Sequence, residues 1–172
     1  LNKFLSENEN SRIFIFGFTY IFYKHFLMKL EELDMKINIS NGIMIHGGGW
    51  KKLENISITK KNFNKHIRNC LGINKIYNYY GMIEQTGSIF IECEKGFYHP
   101  SIFSDIIIRD KNLNICKINE IGIIQVSSLL PLSYPGHNIL TEDMGKIVNN
   151  DGCKCRRKGK YFEVLGRIPE TE

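Results

Sequence analysis

The sequence predicts an α/β fold, a mainly parallel sheet with flanking helices followed by an antiparallel or barrel-like β region. Two patterns predict it. Up to Tyr79 apolar residues alternate between strand-like runs and helical spacing, and from Ser88 onward they come only as short strand-like runs between turn residues. With 172 residues, 42% of them hydrophobic and 12% aromatic, the chain can bury one core of ordinary globular composition.

Arg12 to Tyr20 is a β-rich apolar run, and Phe22, Phe26, Leu30 and Leu33 then recur at helical spacing with Glu31 and Glu32 on the outer side. Gly42 to His46 is a second strand-like run, and it delivers a loop of Gly47, Gly48 and Gly49. Thr59 stands where a helix N-cap belongs, Phe63, Ile67 and Leu71 make one helical face, and Gly72 stops the helix. Ile73 to Tyr79 returns to strand composition. In the second half the strands expected are Ser88 to Glu92, Ile102 to Arg109, Gly122 to Ser128, Lys146 to Val148 and Tyr161 to Leu165.

The net charge of +5 arises from 23 basic and 18 acidic residues, mostly scattered. Lys154, Arg156, Arg157, Lys158 and Lys160 form the local exception, a place for nucleic acid or an anionic partner or, as short charge runs usually are, a solvated loop. The longest apolar run, Ile13 to Tyr23, falls short of the ~18 residues a membrane span needs and is interrupted by Gly17, Thr19 and Tyr20. Asn2 to Arg12 lacks the order of a signal peptide, and five cysteines without an export signal argue against a disulfide framework. The expectation is a cytoplasmic protein with no membrane span and no nucleic-acid partner. Leu1 in place of Met, and a pattern that runs unbroken to Glu172, read as cut ends.

Several residues have the right chemistry for a nucleotide. Three successive glycines let backbone approach a flat ligand, although a bare turn would use them equally. Tyr79 and Tyr80 run into Gly81 and deliver Glu84 just past a strand end, where open α/β sheets bind ligands and where a carboxylate can hold Mg²⁺ beside phosphate. Tyr80 offers a ring face to adenine or simply joins the core. Asp143 or its neighbour Glu142, in a polar stretch read as a turn, can accept from the two hydroxyls of a ribose, and Arg167 after Gly166 can fork onto ribose or phosphate oxygens or stand free at the surface. His46 touches a ligand's acyl or phosphate end or packs at its strand end. Cys70 and Cys116 read as buried filler.

Together, the run Tyr80 to Gln85, the strand Asp105 to Asp110, the stretch SSLLPLSYPGH from Ser127 to His137, the turn LTEDMG and the final LGR resemble the LuxE acyl-protein synthetase family. That family belongs to the adenylate-forming superfamily and is close to the phenylacetate-CoA ligases. The resemblance implies an ATP-dependent ligase that converts a fatty acid to its acyl-adenylate and passes the acyl group to a cysteine thiol and on to an acyl-reductase or acyl-carrier partner. It assigns Gly47, Gly48, Gly49, Tyr80 and Gly81 to the adenine pocket, Glu84 to Mg²⁺, Asp143 to the ribose and Arg167 to closure over the nucleotide. It makes the chain the C-terminal part of the large domain: residues 1–86 the α/β part, 87–167 the β-rich part and 168–172 the start of a hinge to a lid. The family's Ser/Thr/Gly-rich phosphate loop has no counterpart before residue 40, so these residues alone are expected to be inactive. Coenzyme A as acceptor, or a binding module that has lost the chemistry, are the alternatives.

Cys93 and His99 flank one glycine turn, and Cys153 and Cys155 flank Lys154 in a second, so two loops can each present two ligands to one tetrahedral Zn²⁺. Their separations are not those of a zinc finger. Similar positions recur in the phenylacetate-CoA ligase relatives, and unrelated thiols and imidazoles in polar loops are the other reading.

Overall fold

The computed structural model describes residues 2–9, 11–49, 58–132 and 135–168. Ser133 and Tyr134 of the SSLLPLSYPGH stretch and most of the expected hinge, 169–172, lie outside the described residues. The chain divides into two compact units, Leu1–Asn78 and Tyr79–Glu172.

In the first unit a short helix α1 (Asn2–Glu7) precedes β1 (Phe14–Phe18), whose Phe14 to Phe18 pair in parallel with Ile43 to Gly47 of β2 (Ile43–Gly47). β2 also neighbours β3 (Lys75–Tyr80). The helix after β1 runs as α2 (Thr19–Phe22), a π-type turn (Tyr23–Leu27) and α3 (Met28–Glu32). That wider turn shifts the buried face. The 3.6-residue spacing predicts Phe22, Phe26, Leu30 and Leu33, but the helix buries Tyr23, Leu27 and Leu30, leaves Phe22 and Phe26 half-covered and exposes Leu33.

Helix α4 (Lys60–Leu71) follows its sequence signals closely. The Thr59 side chain accepts from the Asn62 amide at 3.3 Å, Phe63, Ile67 and Leu71 are fully buried, and Gly72 ends the helix at φ 72 with its amide on Arg68 O. With Met44 and Ile73 these side chains make the core of this unit.

In the second unit the last two residues of β3 pair antiparallel with β4 (Phe90–Ile91), a shorter strand than the five residues predicted. Four further strands, β5 (Ser104–Arg109), β6 (Gly122–Ser128), β7 (Asn138–Asn149) and β8 (Tyr161–Arg167), form an antiparallel sheet in that order. Asp143 therefore stands in a long strand and not in the turn expected from its polar neighbours. Thr141, Glu142 and Asp143 lie in β7, whose first half alternates exposed and half-buried positions. The register shifts at Met144 and Gly145, and a Cβ on Gly145 would lie 2.5 Å from Glu163 O and 2.7 Å from the Ile124 side chain, so close approach of the strands requires glycine there. The core of this unit gathers Phe90, Tyr98, Ile106, Ile108, Ile124, Val126 and Phe162.

Candidate nucleotide and metal sites

Tyr80 ends β3 with its ring among Phe90, Tyr98 and Phe162, at centroid distances of 6.1, 6.3 and 6.3 Å. The packing fixes the ring, and its hydroxyl donates to Asp143 Oδ2 at 2.8 Å. Burial first, and then the Asp143 carboxylate, push the phenol well above its ordinary range, so it stays a donor. Asp143 is half-buried in β7, opposite Arg167 of β8, and its backbone amide donates to the Thr141 hydroxyl at 3.1 Å. One carboxylate oxygen is thus held, and the other has no side-chain partner among the described residues. Arg167 donates to Glu142 Oε2 at 3.2 Å, an exposed pair that decides Glu142 as the arginine's partner and leaves Asp143 to Tyr80.

Glu84 lies in a single 3₁₀ turn, Ile83–Gln85, directly after Gly81 and Met82, and its exposed carboxylate has no protein partner among the described residues. Its neighbour Gln85 is fully buried, and its Nε2 donates to Gly136 O at 2.8 Å and Val126 O at 3.4 Å. Gly81 approaches Ser88 O so closely that a Cβ would lie 3.2 Å from it.

In the first unit, Gly47 closes β2, Gly48 has φ 83 and Gly49 is exposed. His46 is buried, its ring 4.8 Å from Phe63 and its Nδ1 2.8 Å from Thr19 Oγ1. The Thr19 hydroxyl donates to Gly47 O at 3.0 Å, so it accepts from Nδ1–H and fixes the neutral tautomer. Burial, and then the Lys60 charge, bring the imidazole down to about 4.

The second unit also brings Cys93, His99, Cys153 and Cys155 together, with their four ligand atoms within 4.8 Å of one another. Cys93 Sγ is 3.9 Å from Cys153 Sγ, and Cys155 Sγ is 3.4 Å from His99 Nε2. A tetrahedral ion with metal–sulfur bonds of ~2.3 Å needs sulfur–sulfur edges of ~3.8 Å, so the spacing fits the donor set. The turns aim the side chains: Gly96 at φ 87 closes the Cys93 hairpin, and the Arg156 amide on Cys153 O at 2.9 Å closes the other. Tyr161 stacks on His99 at 5.8 Å. Burial, and then the Cys155 and Cys93 thiols, push Cys153 up to about 11. At Cys155 burial also raises, but the Arg157 amide and the neighbouring thiols bring the thiol below its ordinary value. Three thiols this close cannot all ionise without a cation among them. Cys70 is buried in the first unit, as read from sequence, whereas Cys116 is half-exposed beyond β5.

Two contacts carry no signal in the sequence, the Tyr80 hydroxyl on Asp143 and the Gln85 amide on Gly136. Each joins residues far apart in the chain, and no local spacing encodes them.

The fold is that of adenylate-forming enzymes. The McyG A-PCP protein solved with phenylalanyl-adenylate is 17% identical, with a TM-score of 0.60 over 97% of this chain and 32% of that one. ATP-bound MatB from Rhodopseudomonas palustris is 17% identical, with a TM-score of 0.59 over 96% of this chain and 33% of that one. O-succinylbenzoate coenzyme A synthetase (MenE) from Bacillus subtilis, solved with ATP and magnesium ion, is 17% identical, with a TM-score of 0.61 over 96% of this chain and 34% of that one. The chain spans about a third of the length of these proteins. Its family follows from the sequence: residues 1–172 match the model of the acyl-protein synthetase family LuxE, and the chain belongs to that family. No curated protein matches it. No helix among the described residues is long and apolar enough to cross a membrane.

Proposed function

We propose that this chain carries the ribose- and magnesium-binding part of an ATP-dependent ligase that activates a fatty acid as its acyl-adenylate and transfers the acyl group to a protein cysteine. The observation that carries the reading is Asp143: a half-buried carboxylate with one oxygen anchored by Tyr80 and the other without a side-chain partner among the described residues, in a chain that belongs to the LuxE family over its whole length. A pre-oriented carboxylate accepts from two adjacent ribose hydroxyls without reorganising when the nucleotide arrives. Arg167, held by Glu142 in an exposed pair, can exchange that partner for nucleotide oxygens at little cost.

Glu84 is the residue that would hold Mg²⁺; it is exposed, without a protein partner among the described residues, and carried on a short turn. Mg²⁺, when bound, neutralises phosphate charge as pyrophosphate leaves. Gly47, Gly48 and Gly49 are proposed to line the adenine on the family resemblance, with Gly48 in the left-handed conformation that opens the backbone. Tyr80 contributes its hydroxyl to Asp143 and its ring to the core, which leaves ring-face stacking on adenine the less supported of its two roles.

Cys93, His99, Cys153 and Cys155 are proposed to hold a structural Zn²⁺, which would stitch the Gly96 hairpin to the turn before β8. All four ligands come from the protein, so the site leaves no position for a substrate.

The test is fatty-acid-dependent ATP–pyrophosphate exchange by the full-length gene product, followed by labelled fatty acid. Label retained on denatured protein supports the cysteine acceptor, label on coenzyme A the CoA-ligase alternative, and no exchange removes the ligase reading.

A further inference from the structure

We infer that Gln85 is the positioning residue for Glu84: its carboxamide ties the turn that carries Glu84 to Val126 of β6 and to Gly136 ahead of β7. The inference rests on the reading of Glu84 as the magnesium carboxylate. In the turn Ile83–Gln85 the exposure changes abruptly, from 88% at Ile83 to 0% at Gln85. The buried side chain is polar where an apolar one would cost less.

The hydrogen bonds show what the amide does. Nε2 donates to Val126 O in β6 at 3.4 Å and to Gly136 O, just ahead of β7, at 2.8 Å. Both acceptors are carbonyls, so the nitrogen must face them, and its two hydrogens serve one carbonyl each. The Ser128 amide on His137 O at 2.8 Å joins the two segments that carry these carbonyls. The turn is closed on the same residue, by the Gln85 amide on Met82 O at 3.3 Å and the Ser88 amide on Gln85 O at 3.2 Å. Gln85 is therefore the common member of two backbone closures, and Glu84 precedes it directly.

Gln85 Oε1 is buried with no hydrogen-bond partner among the described residues. An amide that leaves its acceptor idle in a core is a poor choice for stability alone, since a thioether of the same length would carry no such penalty. What the amide supplies and a thioether does not is a fixed direction for the turn. Groups one shell behind a metal ligand set where the ligand stands, and their loss costs ~10-fold or more in metal affinity.

The experiment is calorimetric titration of ATP into wild-type and Gln85→Met protein, at a series of Mg²⁺ concentrations and in EDTA. The Mg²⁺ concentration for half-maximal tightening of ATP binding is expected to rise about tenfold in the variant, with affinity in EDTA unchanged. An unchanged Mg²⁺ midpoint in folded Gln85→Met protein overturns the inference. Wild-type protein that binds ATP with no response to Mg²⁺ overturns the Glu84 reading itself, and the inference with it. If Gln85→Met does not fold, the wild-type Gln85 side-chain NH₂ resonances decide: they should move when Mg²⁺ is added to ATP-loaded protein, and no movement overturns the inference.

Discussion

Replacing Tyr80 by Phe removes one oxygen from the second unit and little else. The ring is held by Phe90, Tyr98 and Phe162, so it keeps its place when the hydroxyl is gone. What is lost is the 2.8 Å hydrogen bond to Asp143 Oδ2. Hydrogen bonds to charged groups are worth about 1.5–3 kcal/mol, and the half-exposed carboxylate places this one near the lower figure. Two effects then compete in nucleotide binding. Losing the phenol frees an acceptor oxygen, which favours the ligand; losing the anchor lets the carboxylate rotate, so that ribose must orient it on binding. The second dominates, because the other oxygen was already open and freeing Oδ2 adds no acceptor that two ribose hydroxyls need. AMP affinity measured by calorimetry should fall about tenfold, the equivalent of ~1.4 kcal/mol, and the urea midpoint should fall with it. AMP affinity equal to or above that of wild type, in a folded variant, would refute the reasoning.

The His46 imidazole, near 4 in the folded chain against an ordinary 6.5, is neutral when buried and protonates first in the unfolded state. Its contribution is complete above about pH 6.5 and is lost as pH falls toward 4, up to ~3 kcal/mol. The acid limb of the urea midpoint should accordingly be shallower in His46→Asn, and identical limbs would count against it. Purified protein should hold one zinc per chain, and Cys153→Ser should lose both the metal and several degrees of thermal midpoint; metal-free wild type as stable as before would end the zinc proposal. Gly72→Ala, forced into φ 72 with its Cβ 3.3 Å from Asn38 Oδ1, should cost ~1 kcal/mol or more by chemical denaturation, and a neutral result would mean the helix ends elsewhere. The 172 residues alone should leave ATP–pyrophosphate exchange at background, because the chain spans about a third of the enzymes it resembles; exchange above background would contradict this.

Helix α4 was legible because its signals are local: a capping threonine, three apolar residues one turn apart and a terminal glycine. Strand β6 was legible to the residue, its apolar run bounded by Gly122 and Ser128. The cysteines and histidine were visible as two pairs, and tertiary structure alone brought the pairs together. Three features were hidden for distinct reasons. A π-type turn rotated the face of the helix after β1, which no fixed period anticipates. In β7, Thr141, Glu142 and Asp143 have the composition of a turn, yet β6 pairs with Leu140 and Met144 on either side of them and β8 pairs Arg167 with Asp143, partners that sequence cannot announce. Gln85 has no local signal, because the carbonyls it meets lie 41 and 51 residues away.

Asp143 is proposed to hold a ribose. Calorimetric binding of AMP to wild-type and Asp143→Ala protein tests it most directly. Wild type should bind, and the variant, still folded, should lose at least tenfold in affinity, as expected when a charged hydrogen-bonding partner is removed. Equal affinity in the two proteins would contradict it.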